Sequence, residues 1–178
     1  MNRRVFLTAA LMAVTPLIAQ TAPKKPPASP PATVAAVISG KNILITYSSP
    51  GVKGREGKIF TKDGLISKNP HYPVWRAGAN SATTLKTDGD IMLGDLMVPA
   101  GTYTLFVDIS DPDNWTLIVS KDTGEWGLSY DSSKDLGKTK MTMSKPAAMV
   151  ENLVYTIADG KLTLSWEDHS ASVEIMVH

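Results

Sequence analysis

The chain has 178 residues, with 18 lysines and arginines against 17 aspartates and glutamates, and it has no cysteine. At roughly 100–200 residues per domain this length predicts one domain, and the near-zero net charge argues against a nucleic-acid-binding protein. The absence of cysteine excludes disulfides, thiol catalysis, zinc–thiolate sites and iron–sulfur clusters.

Residues 1–22 predict an export signal peptide. Arg3 and Arg4 precede an uncharged, mostly apolar run over residues 5–19. This is the arrangement of a signal peptide, and the run is too short for a good transmembrane helix. The order of residues 3–7 also resembles a twin-arginine signal, and a general secretory signal is the alternative. Either signal predicts a periplasmic or secreted protein. No second apolar run of spanning length follows in the sequence, so no transmembrane segment is expected after signal removal.

A proline-rich segment over residues 23–33 follows the signal peptide. Five prolines fall within residues 23–31. This composition favours an extended polyproline conformation that buries no apolar surface. The segment therefore predicts a tether, and the folded domain is expected over residues 34–178.

The rest of the chain is built from short apolar runs with a period of two. Residues 41–47, 102–107, 153–157 and 161–166 show this alternation, and turn pairs such as Asp159-Gly160 separate the runs. Alternation is typical of strands, and glycine beside aspartate is typical of tight hairpins. The pattern predicts an all-β fold, a single-domain β-sandwich or jelly roll of roughly 8–10 short antiparallel strands.

Several stretches of the chain are similar to one known family. The most specific are Trp75-Arg76-Ala77-Gly78-Ala79-Asn80 and Pro99-Ala100-Gly101-Thr102-Tyr103-Thr104-Leu105. They resemble the exported bacterial domain-of-unknown-function family 2911, over residues 34–177. The resemblance implies an exported β-rich domain and implies no activity. Family members often have arginine where this chain has Ser49.

Trp75, Arg76 and Asn80 are the first candidates for ligand binding. A guanidinium is a planar fork of donors that suits carboxylate or phosphate recognition. The neighbouring indole and amide add an aromatic face and further hydrogen bonds. In the structural alternative, which is the more common role, Arg76 forms an ion pair and Asn80 satisfies turn backbone.

Arg55 and His71 complete the candidate set. Arg55 lies in residues 51–58, a loop with three glycines and three positive charges. Backbone N–H groups of such a loop can cradle an anion, and a flexible solvated loop is the alternative. His71 lies five residues before Arg76 and is the histidine best placed for chemistry, whereas His169 and His178 are expected to be solvated.

No cofactor, metal site or catalytic motif is predicted. The nucleophile elbow and the Rossmann fingerprint are both missing. Two aspartate clusters, at residues 88–95 and 108–114, offer oxygens of the kind that calcium binds, and turn chemistry is the favoured explanation of both. The leading hypothesis is a non-catalytic exported module that binds a small molecule, a glycan or an envelope-protein partner. The alternatives are a periplasmic hydrolase or metal-dependent enzyme that uses His71 and nearby carboxylates, and an envelope structural factor.

Overall fold

The computed structural model describes residues 27–124 and 126–177. The predicted signal peptide and the first four residues of the predicted tether lie outside these ranges. The described residues form 13 strands. They are β1 (Pro31–Ile38), β2 (Lys41–Ser48), β3 (Val74–Trp75), β4 (Thr83–Thr87), β5 (Ile91–Leu93), β6 (Leu96–Val98), β7 (Gly101–Asp108), β8 (Thr116–Ser120), β9 (Asp135–Lys140), β10 (Thr142–Ser144), β11 (Val150–Ala158), β12 (Lys161–Glu167) and β13 (His169–Val177).

The strands form two antiparallel sheets, which confirms the predicted β-sandwich. The first sheet has the order β1-β2-β4-β7-β8-β9, and β3 pairs with β7 beside β4. The second has the order β11-β12-β13-β5-β6, and β10 pairs with β13. There are more strands than the sequence predicts because β3, β5, β6 and β10 have only two or three residues each. Strands this short show no alternating run.

Strand β1 begins at Pro31, inside the segment assigned to the tether. It lies at the edge of the first sheet and pairs along its whole length with β2. Proline lacks the N–H that a central strand must donate, so it is tolerated at the first residue of an edge strand. The folded domain therefore starts three residues before the position expected from composition.

The core lies between the two sheets and follows the alternation read from the sequence. Ile43 and Ile45 of β2 and Leu162 and Leu164 of β12 are all buried. Strand β7 is buried on both faces, because Phe106 packs on the outer face of the sheet with neighbours that include Tyr130. The segment after β8 therefore covers part of the outer face, and residues 103–107 of β7 are buried consecutively although their sequence alternates.

Two hairpins close on two-residue turns with left-handed backbone. Asp159 and Gly160 have φ values of 52° and 68°, and Ser39 and Gly40 have values of 48° and 78°. Positive φ at both central residues is the geometry whose twist matches a β-hairpin. The Asp159-Gly160 hairpin predicted from the sequence is present, with Ala158 paired to Lys161.

Helical structure in the described residues consists of two 3₁₀ turns, Ile66–Lys68 and Ser132–Lys134. Within that part of the chain, no helix has the length and apolar character needed to cross a bilayer. The first turn lies in the long connection between β2 and β3, residues 49–73. This connection contributes Ile59 and Ile66 to the core, and its Phe60 packs against Trp75, Trp115 and Trp166.

Candidate functional site

The loop that follows β3 is held in place by buried hydrogen bonds. Trp75 is 2% exposed, and its Nε1 donates to the carbonyl of Gly78 at 3.1 Å. The carbonyl of Ala77 accepts from Thr83 Oγ1 and from the Tyr155 hydroxyl, both at 2.9 Å. Ala77 itself has a left-handed φ of 54°, which non-glycine residues seldom adopt. These contacts fix the backbone on both sides of Arg76.

Arg76 is half-buried and only partly satisfied. Its Nη1 donates to the carbonyl of Gly127 at 3.2 Å, while its Nε is buried without a hydrogen-bond partner. Among the described residues it forms no ion pair, so the ion pair of the structural alternative is not found there. Burial disfavours the charged form and lowers the pKa of the Arg76 guanidinium below its usual value.

Arg76 lines a pocket of about 500 Å³, which we call the cationic pocket. Four positively charged side chains line it: Lys53, Arg55, Lys68 and Arg76. Its apolar lining includes Pro50, Leu65, Ile66, Trp75, Leu128 and Trp166. No aspartate or glutamate is among the described residues of the lining. The lining side chains therefore bring four positive charges beside an apolar wall, and Glu151 Oε1 accepts from the backbone N–H of Lys53 at 3.0 Å.

Two of the cationic side chains are positioned by loop backbone. Lys53 Nζ donates to the carbonyl of Ala28 at 2.6 Å. Arg55 donates from Nε to the carbonyl of Val52 at 2.9 Å and from Nη2 to that of Gly51 at 2.7 Å. Arg55 is half-buried, whereas the alternative of a flexible solvated loop predicts an exposed side chain. Both side chains line the pocket, and several of their donors are already used by loop carbonyls.

The floor of the cationic pocket joins the two sheets. Trp75 of β3 and Trp166 of β12 stack with ring centroids 5.9 Å apart and planes 23° from parallel. Phe60 packs against each of them at 5.7 Å. Trp166 is 1% exposed, and its Nε1 has no hydrogen-bond partner. Two residues of the pocket lining therefore have unpaired buried donors. Arg76 follows β3 of the first sheet, and Trp166 belongs to β12 of the second.

The structure brings Trp75, Arg76 and Arg55 together and places the other two candidates outside the pocket lining. Asn80 is exposed, and its Nδ2 donates to the carbonyl of Ser29 at 3.4 Å. The backbone carbonyl of Asn80 accepts from the N–H of Gly127 at 3.3 Å. His71 lies with its ring 6.0 Å from that of Tyr130. Asn80 thus supports the loop that contacts Arg76, and His71 faces a different neighbourhood.

A second cavity, of about 520 Å³, contains a cluster of potential metal ligands, which we call the Glu167 cluster. Glu167, Asp168 and His169 each offer one ligand atom, and these atoms all lie within 4.8 Å of one another. Glu167 is 3% exposed and accepts from the N–H of Gly57. Imidazole and carboxylate groups in such proximity are ligands that divalent metals accept.

His169 departs from the expectation that it is solvated. Its side chain is 27% exposed, and its ring stacks on Trp115 with centroids 5.5 Å apart and planes 8° from parallel. Its Nδ1 lies 2.6 Å from Asp168 Oδ1 but outside hydrogen-bond geometry. The acidic neighbours in sequence indicated a solvated segment, but β13 begins at His169 and turns its ring inward.

Lys53, Lys68 and Trp166 are site residues that the sequence interpretation missed. The sequence identifies Lys53 only as one of three positive charges in residues 51–58. No sequence pattern predicts that Lys68 lies at a site. Trp166 sits in a clean alternating run, which predicts a core residue and nothing more. Its role becomes visible only because β12 brings it against Trp75 from the other sheet.

The family to which the chain belongs follows from a comparison of its sequence with family models. The model of DUF2911, described as a protein of unknown function, matches residues 29–175. This range contains every residue of the cationic pocket except Ala28 and all of the Glu167 cluster. No curated protein and no solved structure matches the chain. Because the matched range covers most of its length, the chain belongs to the DUF2911 family.

Proposed function

We propose that this protein is an exported, non-catalytic module that binds a small anionic ligand in the cationic pocket. The single observation that carries the proposal is the convergence of four positive side chains on one pocket with no carboxylate among its described lining residues. Export is supported by the signal-like residues 1–22 of the sequence.

The electrostatics of the pocket favour an anion. Burying an uncompensated charge is costly, and a buried charge is normally paired. Arg76 has a pKa lowered by desolvation and no described carboxylate within ion-pair distance. A bound anion supplies a negative charge beside Arg76 and favours the charged form of its guanidinium.

The lining chemistry favours binding over catalysis. General acid–base chemistry needs a group that titrates near the working pH, most often histidine or a carboxyl group. The described lining of the cationic pocket contains neither, and offers lysines, arginines, amide, hydroxyl and indole groups instead. Such a set suits holding and orienting an anion, and it lacks the histidine and carboxyl groups that most often move protons.

Thermal denaturation and calorimetry with simple probes test this proposal. Benzoate, phenyl phosphate and benzenesulfonate, each at constant ionic strength, are compared with the cation benzylammonium. At least one of the three anions is expected to raise the Tm and bind measurably, because ligands of the native state stabilise it. Arg76→Gln should weaken that binding about tenfold or more, since it removes a charged hydrogen-bonding partner.

Lys145→Gln is the matched control, because it also removes one positive charge from a residue that is 78% exposed and outside the pocket. It should leave affinity within about twofold, the effect of a screened surface charge. The proposal is wrong if no anion shifts the Tm, or if Lys145→Gln weakens binding as much as Arg76→Gln does.

A metal-dependent activity is a second candidate, and the Glu167 cluster is the observation that favours it. The histidine that lies close to carboxylates in this cluster is His169, not His71. Calorimetry with Zn²⁺ and Co²⁺ on wild type, His169→Ala and the control His71→Ala tests the site. Metal binding lost only in His169→Ala supports this candidate. Equal binding by all three proteins, or none, removes it.

A further inference from the structure

The two unpaired donors of the cationic pocket indicate which kind of anion the pocket binds. Arg76 Nε and Trp166 Nε1 are buried without hydrogen-bond partners, and both residues line the pocket. Trp166 is 1% exposed. A buried donor left unpaired costs free energy and calls for a specific explanation. A ligand acceptor that reaches both donors provides one.

The orientation of Arg76 selects the shape of that acceptor. Its Nη1 donates to the carbonyl of Gly127, which leaves Nε and Nη2 as the free edge of the fork. In the described part of the chain neither of these two nitrogens has an acceptor. Two parallel N–H groups on one edge match the two oxygens of a carboxylate in a bidentate pair.

The remaining cations do not offer a comparable fork. Arg55 spends Nε and Nη2 on the carbonyls of Val52 and Gly51, and Lys53 Nζ already donates to Ala28. Lys53 and Lys68 offer an ammonium point charge without a planar fork, and the Nε–Nη2 edge of Arg55 is already used by loop backbone. A head group with one negative charge therefore meets its directional partners at Arg76 and Trp166, without a second charge to desolvate.

The size and the apolar wall of the pocket describe the rest of the ligand. About 500 Å³ is the volume of a pocket for a drug-sized molecule rather than for a bare inorganic ion. Leu65, Ile66 and Leu128 line it, and Leu128 is 43% exposed. Apolar surface that is covered by ligand adds to affinity in proportion to its area.

We propose that the ligand of the cationic pocket is an organic monocarboxylate with an apolar body. Its carboxylate is held bidentate by Nε and Nη2 of Arg76 and accepts a further hydrogen bond from Trp166 Nε1. Its body lies against Leu65, Ile66 and Leu128. This inference rests on the proposed function, because it names the class of anion that the same pocket binds.

A set of probes with matched bodies tests the head group and the body separately. The probes are 4-phenylbutyrate, its amide 4-phenylbutanamide, acetate and phenyl phosphate, measured by calorimetry on the full mature chain. 4-Phenylbutyrate should bind at least about tenfold more tightly than its amide, because it alone pairs with the charged fork. Acetate should bind about tenfold or more weakly than 4-phenylbutyrate, because it lacks the body.

Variants separate the fork from the charge. Arg76→Lys keeps the charge and loses the planar fork, so it should weaken 4-phenylbutyrate about tenfold and phenyl phosphate much less. Trp166→Phe removes the indole N–H and should weaken 4-phenylbutyrate about tenfold, the value of one hydrogen bond to a charged group. Trp115→Phe is its control, a buried tryptophan outside the pocket lining, and should leave affinity unchanged.

The outcomes distinguish this inference from the proposed function. If phenyl phosphate binds more tightly than 4-phenylbutyrate, or if Arg76→Lys leaves both affinities unchanged, the carboxylate assignment is overturned while anion binding stands. If none of the anions binds, both proposals fall. Because Arg76→Lys does not alter the core, it gives a result even if Trp166→Phe fails to fold.

Discussion

At the scale of single residues, the backbone of Gly127 packs closely against Arg76. A Cβ built at Gly127 would overlap Arg76 Cδ and lie 2.5 Å from the carbonyl oxygen of Asn80. The backbone of Gly127 therefore passes against the aliphatic part of the arginine, and its carbonyl accepts from Arg76 Nη1 at 3.2 Å. Only a residue without a side chain permits this approach.

Gly127→Ala is expected to destabilise the protein and to impair anion binding. The added methyl group forces the loop or Arg76 to move, and overpacking of this kind costs about 1–3 kcal/mol. Urea denaturation measures the loss as a lower midpoint, and calorimetry with benzoate measures the loss of affinity. Ser129→Ala, in the same loop at an exposed position, should stay within about 0.5 kcal/mol of wild type. Wild-type stability and affinity in Gly127→Ala would show that the loop contact does not position Arg76.

At the scale of elements, the pairing within two hairpins follows from turns whose chemistry is local. The Ser39-Gly40 and Asp159-Gly160 turns both have left-handed φ at their two central residues. This geometry sets the pairing of β1 with β2 and of β11 with β12. The edge strand β1 does not follow from its local sequence, because the prolines around its start predict a tether. Its pairing with β2 makes this segment a strand, and an edge strand tolerates proline at its first residue.

Gly160→Ala should destabilise the second sheet through its backbone alone. A Cβ at Gly160 would come no closer than 3.8 Å to Ile175 O, so no steric clash contributes. An L-residue in left-handed backbone costs about 1–2 kcal/mol, and urea denaturation should show that loss. Gly160→Asn should lose less, because asparagine tolerates this conformation better. Equal stability of Gly160→Ala and wild type would mean that the turn relaxes to another type.

At the scale of the whole molecule, two tyrosines connect the sheets. Tyr47 of β2 and Tyr155 of β11 pack edge to face with centroids 4.8 Å apart. The Tyr47 hydroxyl accepts from the N–H of Tyr155 at 3.3 Å, and the Tyr155 hydroxyl donates to the carbonyl of Ala77. The second sheet thereby holds the loop that carries Arg76, so stability of the sandwich and geometry of the site are linked.

Tyr155 should make the protein sensitive to alkaline pH. Burial raises the pKa of its hydroxyl above the usual value of 10.0, so the folded protein holds a proton that the unfolded chain releases. Its contribution to stability is present below about pH 10 and is lost above it, at up to about 1.4 kcal/mol per pH unit. Urea denaturation at pH 7, 9, 10 and 11 measures this slope.

Tyr155→Phe should remove that part of the slope while costing about 1 kcal/mol at pH 7 through the lost hydrogen bond. Tyr72→Phe is the matched control, since Tyr72 is 38% exposed, and it should leave the slope unchanged. A wild-type slope in Tyr155→Phe would mean that another group controls alkaline unfolding.

The sequence by itself determined the fold class, because alternation and turn chemistry are properties of neighbouring residues and survive without tertiary contacts. It also determined the family, and it singled out Trp75 and Arg76, since an arginine between an indole and a glycine-containing loop is a local pattern. The exact strand count and the start of β1 did not follow, because two-residue strands and an edge proline acquire their pairing only from an adjacent strand.

Only the tertiary structure decided which side chains share the cationic pocket. Lys53, Lys68, Leu128 and Trp166 come from different segments, and the contact of Arg76 with Gly127 spans 51 positions. Side-chain periodicity tells which face of a strand is buried but not what lies opposite that face. Arg76 and Trp166 line one pocket because two sheets pack face to face, which no local pattern encodes.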